Sequence, residues 1–478
     1  MAQKTNVYQC IKQENALNKT LIAIIYKNKM ISYEELFRDV ENLAERLNAY
    51  SMSEGSRVAL HCPDSIEYII VSLALLAQGA VLIPVNWAMP ETEINELCTG
   101  IAAEFIISRC SNNLNGHFTC NDSAFTVKRL VTLKSAPGGI AEMNPAFIRF
   151  TSGTTGNSKG VIISHQGALE RTAAADRGLQ VNSGDTILWT LSMSYHFVVT
   201  ILLFLRRGAT IVICPEPVLL SMASCLAAHR ITFLYATPYH YRIMTESQSF
   251  TPELMKAVRI AVSTAMPLDK ALADAFHAKF GFRLRQAYGI IEVGLPCISG
   301  DTDDFLPGLV GRILPDYELQ LANQDETGNG NIMLRGPGMF AGYFEPFRTL
   351  EQVCVKGWFD TGDVGHLDRQ GRLVIAGRSK NVINFAGMKI FPYEVEAVIR
   401  AFPEVEDAVV YGVPDSQYGE LPCADVVFRN SAEPETAINR LKEFCYRQLS
   451  PYKTPKVFNP VKVLATTLSG KTRREKSV

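Results

Sequence analysis

Closely spaced cysteine pairs are missing from this chain. It has 11 cysteines in 478 residues, and none stands in a C-x-x-C pair. The odd number and irregular spacing argue against a disulfide framework or a zinc knuckle. They read instead as reduced thiols of a cytoplasmic protein. A basic surplus is also missing: the net charge is −1, and the aromatic residues do not interleave with a basic stripe. Nothing therefore points to a nucleic acid or to an anionic membrane surface. No run of eighteen apolar residues occurs, because Gln78 and Gly79 interrupt the stretch from Tyr68 to Pro84, so no membrane span is expected. The N-terminal residues are polar and lack the apolar core of a signal peptide, and the last four, Glu475 to Val478, carry no address motif.

What is present is a chain that is 47% hydrophobic and 20% charged, the balance of a soluble globular protein. Its length exceeds one compact core and suits two or three domains.

The most informative stretch runs from Phe150 to Val161. Thr151, Ser152, Thr154, Thr155 and Ser158 are interleaved with Gly153, Gly156 and Gly160, and the single cation is Lys159. An apolar lead-in, Ala146 to Ile148, and an apolar exit, Val161 to Ile163, make it a strand–loop–strand unit. Backbone N–H groups, hydroxyls and a lysine on a flexible loop suit a polyphosphate; an ordinary Gly/Ser/Thr turn is the competing reading. The spacing differs from a Walker A loop, which needs G-x-x-x-x-G-K followed by Ser or Thr. A second near-match, Ala465 to Thr472, lacks the first glycine and has only six residues after it.

Strand and helix patterns alternate through the first 300 residues. Ser32, with Glu35 three positions on, reads as a capping box before a helix carrying Leu36, Val40, Leu43 and Leu47. What precedes it reads as a short lead-in. Strands are expected at 58–60, 81–85, 104–108, 186–191, 210–214, 232–235, 258–262 and 283–287. Helices are expected at 66–78, 91–100, 166–177 and 197–205. Such alternation predicts doubly wound parallel sheets in two α/β lobes. From about 305 glycines cluster between short β-type runs, as in a small β domain or barrel. From about 380 a third unit begins, with a hairpin around 384–390, helices at 392–401 and 435–449, and strands at 408–413 and 424–428.

Four further stretches carry chemistry. In Gln286 to Glu292 an aromatic, Tyr288, sits beside Gly289, with a carboxylate at Glu292. An aromatic there can stack on a base and a carboxylate can hold Mg²⁺; a buried tyrosine and a surface glutamate are the plain alternative. Trp358 to Asp363 is a turn with two carboxylates, able to receive ribose hydroxyls or to form an Asx-turn. Gly377 to Asn381 brings Arg378 and Lys380 to the change of texture, where a solvated linker is the plain reading. Leu468 to Thr472 places Lys471 near the C-terminus, where a frayed tail is the alternative.

Together, in this order and at these separations, the stretches resemble the adenylate-forming superfamily, which includes acyl- and aryl-CoA ligases. The resemblance covers nearly the whole chain. It implies an α/β fold: a large N-terminal domain of two doubly wound lobes plus a small β-barrel, then a small mobile α+β domain. The boundaries it implies are 1–377 for the adenylation domain, 378–380 for a hinge and 381–478 for the mobile domain. It implies that a carboxylate attacks ATP to give an acyl-adenylate and pyrophosphate, and that a thiol then displaces AMP. The thiol would belong to CoA or to a carrier-protein phosphopantetheine.

By the same resemblance, Thr151, Ser152, Gly153, Thr154, Thr155, Gly156 and Lys159 hold the β- and γ-phosphates. Tyr288, beside Gly289, packs on adenine, and Glu292 carries Mg²⁺. Asp363 and Arg378 reach the ribose, Lys380 stands at the hinge and the pantetheine threads past Gly387. Lys471 bridges the carboxylate and the α-phosphate. Carboxylate attack brings two anions together, so Lys471 and Mg²⁺ supply the charge that offsets their repulsion, while the loop orients the leaving pyrophosphate. Removing Lys471 should mainly slow adenylation, and a mobile domain on a hinge would let the thiol take its place.

The chain departs from the family pattern at three positions. Ile291 stands where a Thr or Ser touches the α-phosphate, a loss of about 1 kcal/mol net. Thr264 replaces a glycine on the floor between adenine and acid, and Ser158 replaces a proline before Lys159. The segment at Tyr195 and His196 lacks the aspartate that pairs with an α-ammonium group, which disfavours an α-amino acid. His196 matches the aromatic or histidine gate of acyl- and aryl-CoA ligases; a packed histidine at a helix start is the plain alternative. The expected pocket wall is His196, Phe197, Val198, Tyr239, Thr264, Ile290, Val293 and Leu295, which suits a fatty or aryl acid. Two other functional readings stand beside CoA ligation: an acyl-AMP ligase loading an acyl carrier protein, and a catalytically weak nucleotide-binding relative.

Overall fold

The computed structural model describes residues 4–110, 117–121, 123–131, 135–150, 159–301, 303–386, 388–429 and 434–465. The described strands form three sheets, two of them large and one small.

The first sheet has nine strands. Its parallel centre is Pro145–Phe150, Val81–Val85, Arg57–His61 and Phe105–Arg109. Val81–Val85 is buried along its whole length. A continuous apolar run, with no polar alternation, is what a strand covered on both faces requires. Helix Ile66–Ala77 covers it and is itself buried on nearly every side. The Ser65 hydroxyl caps that helix by accepting the Tyr68 N–H, and Gly79 ends it at φ +73, a left-handed conformation that glycine adopts without steric cost. Gly160–Ser164 folds back antiparallel on Pro145–Phe150, with Arg149 opposite Val161 and Phe150 opposite Gly160. The ends of the phosphate-type loop are thereby fixed by a strand pair.

The second sheet has thirteen strands. Arg285–Ile290, Ile260–Ser263, Phe233–Ala236, Thr186–Trp189 and Thr210–Ile213 run parallel in that spatial order. The antiparallel β unit expected after 305 is hydrogen-bonded into the same sheet. It continues from Arg285–Ile290 through Gly294–Ile298, Leu309–Ile313, Leu373–Arg378, Phe359–Leu367, Gly330–Arg335 and Glu318–Ala322.

Two expectations change here. The N-terminal lead-in is a helix, Val7–Glu14, capped by Asn6, followed by a hairpin of Ile22–Tyr26 and Lys29–Ser32. Ile22–Tyr26 lies parallel to Thr210–Ile213 at the far edge of the second sheet. This second partner is distant in sequence, so the local pattern gave no sign of the strand's place in the sheet. The capping box at Ser32 and Glu35 is formed in both directions. The apolar helix at 197–205 is not one continuous α-helix: a short turn at Met193–His196 leads into a π-helical stretch, Phe197–Ile201, then Leu202–Arg206. Such π turns concentrate at functional sites.

The third sheet comprises Ile383–Phe385, Met388–Ile390, Val405–Asp415, Gly419–Phe428 and Val457–Pro460, with helices Pro392–Arg400 and Pro434–Gln448. It has its own core, including Ile390, Val395, Ile399, Val410 and Leu441. Arg378 ends the last strand of the second sheet and Ile383 begins the third, with one 3₁₀ turn, Ser379–Asn381, between them. All eleven cysteines are free thiols. Among the described residues, no helix is long and apolar enough to cross a membrane.

Candidate active site

A cleft of about 2090 Å³ opens where the ends of the two large sheets meet the third unit. Its wall takes Arg149, Phe150 and Lys159 from the first sheet, Tyr235, Thr264, Tyr288 and Glu292 from the second, and Phe391 and Tyr393 from the third unit.

One end of the cleft is built on Tyr288, Asp363 and Arg378. Asp363 and Arg378 face each other across an antiparallel strand pair, so their side chains leave the sheet together. The Arg378 Nε lies 2.8 Å from one Asp363 oxygen, and the Tyr288 hydroxyl donates to the other at 2.5 Å. Burial pushes the Tyr288 hydroxyl well above its usual range, and Asp363 adds to the shift. Burial is the largest single influence and works against the Arg378 charge, but Asp363, Tyr288, Tyr393 and Glu292 together outweigh it and raise that pKa. The three residues thus form one charged cluster, although 75 residues separate Tyr288 from Asp363. Lys380 lines the cleft beside them; partial burial and the Arg378 charge both lower its pKa.

The middle of the cleft is built on Glu292. The Tyr343 hydroxyl donates to the Glu292 Oε1 at 3.1 Å. The Tyr343 ring lies 4.7 Å from the Lys159 ammonium, within cation–π range. Burial first, then Glu292, raises the Tyr343 pKa far above its ordinary value. Below this layer Arg171, fully buried, donates to the carbonyl of Ile291 at 2.9 Å and twice to that of Gly338, at 2.9 and 2.6 Å. Burial pushes the Arg171 pKa down to about 10, so the clamp is cationic at neutral pH. Gly338 has φ +69, and a Cβ there would sit 2.3 Å from the Arg171 backbone nitrogen. That close approach seats the Gly338 segment on the helix His165–Leu179, and the Arg171 side chain ties the Ile291 carbonyl, just before Glu292, to the same helix. Ile291 packs partly against the core, so its side chain joins the apolar layer where the family pattern has a hydroxyl.

The other end is the acid side. His196, Val198, Tyr239, Thr264, Ile290 and Leu295 all line the cleft. His196 stands edge-on to Trp189 and Tyr235, with ring centroids 5.9 and 6.2 Å apart. The Tyr235 hydroxyl approaches the Thr264 Oγ1 at 3.5 Å, and Ala265 beside it takes φ +69. Two expected wall residues do not line the cleft. Phe197 and Val293 are fully buried, and Phe197 packs on Tyr68 and Phe147. The π turn rotates Phe197 into the core while leaving Val198 at the cavity.

Thr151, Ser152, Gly153, Thr154, Thr155, Gly156, Gly387 and Lys471 lie outside the described residues, so their expected placement is not tested. Glu292 shares its other carboxylate oxygen with no described residue, which leaves it available to a cation. One carboxylate completed by phosphate oxygens and water fits Mg²⁺ better than a closed protein cage does. Among the described residues, no group of three or more metal-type side chains occurs.

Sequence reasoning missed three residues here. Arg171 and Tyr343 act through contacts that only the folded chain creates. Arg149 had a visible signal: it is the one charge in the strand Pro145–Phe150. Its guanidinium lies over the Tyr195 ring at 5.3 Å, and its buried Nε has no hydrogen-bond partner among the described residues. Burial lowers its pKa to about 10, leaving it charged at neutral pH.

Comparison with known proteins gives a consistent picture. The family model described as AMP-binding enzyme matches residues 12–344, and that of the AMP-binding enzyme C-terminal domain matches 394–471. The chain is 27% identical over 485 residues to a 4-coumarate–CoA ligase-like protein of Oryza sativa subsp. japonica, covering 93% of this chain and 86% of the relative. It is 26% identical over 536 residues to the mitochondrial medium-chain acyl-CoA ligase ACSF2 of Mus musculus, covering 99% and 87%. Among solved structures, ATP-bound MatB from Rhodopseudomonas palustris superposes with a TM-score of 0.84 at 24% identity, covering 98% of this chain and 97% of that one. A benzoate CoA ligase from Burkholderia xenovorans gives 0.83 at 22% identity, covering 98% and 99%. At these identities the two structures establish the shared fold.

Proposed function

Because the chain belongs to the AMP-binding enzyme family, we propose that it ligates a carboxylic acid to CoA at the expense of ATP. The observation that carries this reading is the convergence of two clusters in one cleft: Tyr288–Asp363–Arg378 at one end, and Glu292–Tyr343–Lys159 beside it. Neither cluster has an evident structural purpose in a cavity wall, and together they offer an aromatic, a diol acceptor, a metal carboxylate and a phosphate cation. The names of the relatives, a coumarate-type and a medium-chain acyl-CoA ligase, support the same reaction.

In this reading a carboxylate oxygen of the acid attacks the α-phosphorus of ATP, and the bond to the pyrophosphate breaks. The sulfur of CoA then attacks the acyl carbon, and AMP leaves with the bonding pair. Tyr288 packs on the base, while Asp363 and Arg378 bind the ribose. Lys159, with the loop 151–156, takes the β- and γ-phosphates. Glu292 would hold Mg²⁺, which when bound supplies positive charge to the phosphates. Tyr343 keeps the Glu292 carboxylate turned towards the cleft, and Arg171 fixes the backbone that carries it. Lys471 brings the cation that couples carboxylate to α-phosphate, and Gly387 lets the pantetheine pass. The turn at 379–381 is the hinge between an adenylation domain, 1–377, and a mobile domain, 381–478.

The acid-side wall is mostly apolar, with Val198, Ile290 and Leu295 among its residues, which favours an acid with an aliphatic or aryl body. The test is acid-dependent formation of AMP, pyrophosphate and acyl-CoA by the purified chain with ATP, Mg²⁺ and CoA. Failure across aliphatic and aryl acids alike would refute the reading.

A further inference from the structure

We infer that Asp64, which does not itself line the cleft, is a positioning residue that sets the acid-pocket wall from the first lobe; this rests on the ligase reading above. The wall segment is helical from Met193 to Arg206, with the π turn Phe197–Ile201 in its middle. His196, Val198, Val199 and Thr200 of that segment line the cleft. The chain enters it through Ser192, whose side chain does not cap it; the Ser192 hydroxyl pairs instead with that of Ser194 at 2.8 Å. The cap comes from 129 residues away. Both Asp64 oxygens lie 3.0 Å from the Met193 nitrogen and accept its N–H.

A helix start leaves its first N–H groups unpaired, so an acceptor brought from elsewhere fixes where the first turn sits. Asp64 stands between the strand Arg57–His61 and the helix Ile66–Ala77, one position before the Ser65 cap. A second anchor from the same lobe follows at Phe197. Its ring packs on Tyr68, from the helix that Ser65 caps, and on Phe147, with centroids 5.9 and 6.3 Å apart. Ser194, Tyr195 and His196 are therefore fixed at both ends by the first lobe. The strands before and after the segment, Thr186–Trp189 and Thr210–Ile213, belong to the second sheet. Within the π turn the Thr200 hydroxyl donates to the His196 carbonyl at 2.8 Å.

Loss of the anchor acts on the acid and not on ATP. Tyr288, Asp363 and Arg378 pair with one another at the opposite end of the cleft, and Glu292 is held by Tyr343. None of these contacts passes through the segment 193–201. What the anchor needs is an oxygen acceptor, not a charge. Burial pushes the Asp64 pKa up to about 7, and the neutral carboxyl and the carboxylate both offer an oxygen to the Met193 N–H. Asparagine offers an amide oxygen at the same reach, whereas leucine, of similar size, offers none.

The experiment measures pyrophosphate release by the full chain over aliphatic and aryl acids of graded size, for wild type, Asp64→Asn and Asp64→Leu. Asp64→Leu should raise KM for the acid about 10-fold, the effect of a buried donor left unpaired, and leave KM for ATP unchanged. The spread of kcat/KM across the acid series should narrow, because the wall no longer holds one shape. Asp64→Asn should stay close to wild type. Asp64→Ala, which adds no bulk, gives the same comparison where leucine does not fit. An unchanged acid KM in Asp64→Leu would overturn the inference, and so would equal rises in the two KM values, the mark of a general loss of structure. Asp64→Asn as impaired as Asp64→Leu would overturn it too, by assigning the effect to charge. Absence of pyrophosphate release with any acid would sink the ligase reading instead. Hydrogen exchange over 193–201, which needs no substrate, then decides: faster exchange in Asp64→Leu than in wild type and Asp64→Asn upholds the anchor, and equal exchange in all three removes it.

Discussion

Replacing Tyr343 with Phe removes one hydroxyl and keeps the ring. The ring contacts survive: Phe340 at 4.9 Å and the Lys159 ammonium at 4.7 Å. What is lost is the 3.1 Å donation to Glu292. A hydrogen bond to a charged group contributes about 1.5–3 kcal/mol, which corresponds to a factor of roughly 10 to 150. Glu292 is half-buried at the cleft wall, so water can replace part of the lost donor, and the low end applies. Tyr343→Phe should therefore lower kcat/KM for ATP about 10-fold, with the loss largest at limiting Mg²⁺. Global stability should change by no more than about 1 kcal/mol, the net value of one ordinary hydrogen bond. The assay is steady-state pyrophosphate release across a Mg²⁺ titration, beside urea unfolding of both proteins. A variant with wild-type kcat/KM at every Mg²⁺ concentration would refute the positioning role. A loss of activity explained wholly by unfolding would refute it too.

Two further predictions concern the scaffold. Arg171→Met removes three hydrogen bonds to the Ile291 and Gly338 carbonyls and leaves those carbonyls unpaired in the interior. Urea unfolding should show a loss of about 3–5 kcal/mol, and a change below about 1 kcal/mol would contradict the clamp. Burial pushes the Asp64 carboxyl from 3.8 up to about 7, against the opposing Met193 N–H. In that window the folded chain holds a proton that the unfolded chain has released, so stability falls as the pH rises from 3.8 towards 7. Asp64→Asn should flatten this dependence, and parallel stability–pH profiles for the two proteins would contradict the assignment.

The sequence made much of this fold legible because strand and helix periods differ and the caps are local. Val81–Val85 and Glu91–Gly100 have the expected bounds, since the apolar run, the prolines and the glycines that set them are all nearby in sequence. Ile22–Tyr26 pairs locally with Lys29–Ser32, but its place at the edge of the second sheet was not legible, because Thr210–Ile213 lies far along the chain. The turn of Phe197 into the core was hidden for a different reason. A π-helical stretch changes the angle per residue, so a count made at 3.6 residues per turn assigns the wrong face. The site divides in the same way. Tyr288, Glu292, Asp363 and Arg378 stand out as residue types beside glycines and turns, and the structure brings all four to one cleft. Tyr343 and Arg171 do not stand out, since nothing local marks a tyrosine or an arginine that will later meet Glu292 or the carbonyl before it.

The most direct test of acid activation is ATP–pyrophosphate exchange driven by a carboxylic acid, in the wild type and in Lys471→Ala. The wild type should exchange label only when an acid is present, and the variant should lose most of that exchange while still binding ATP. Equal exchange in the two proteins, or exchange indifferent to the acid, would contradict adenylation by this chain.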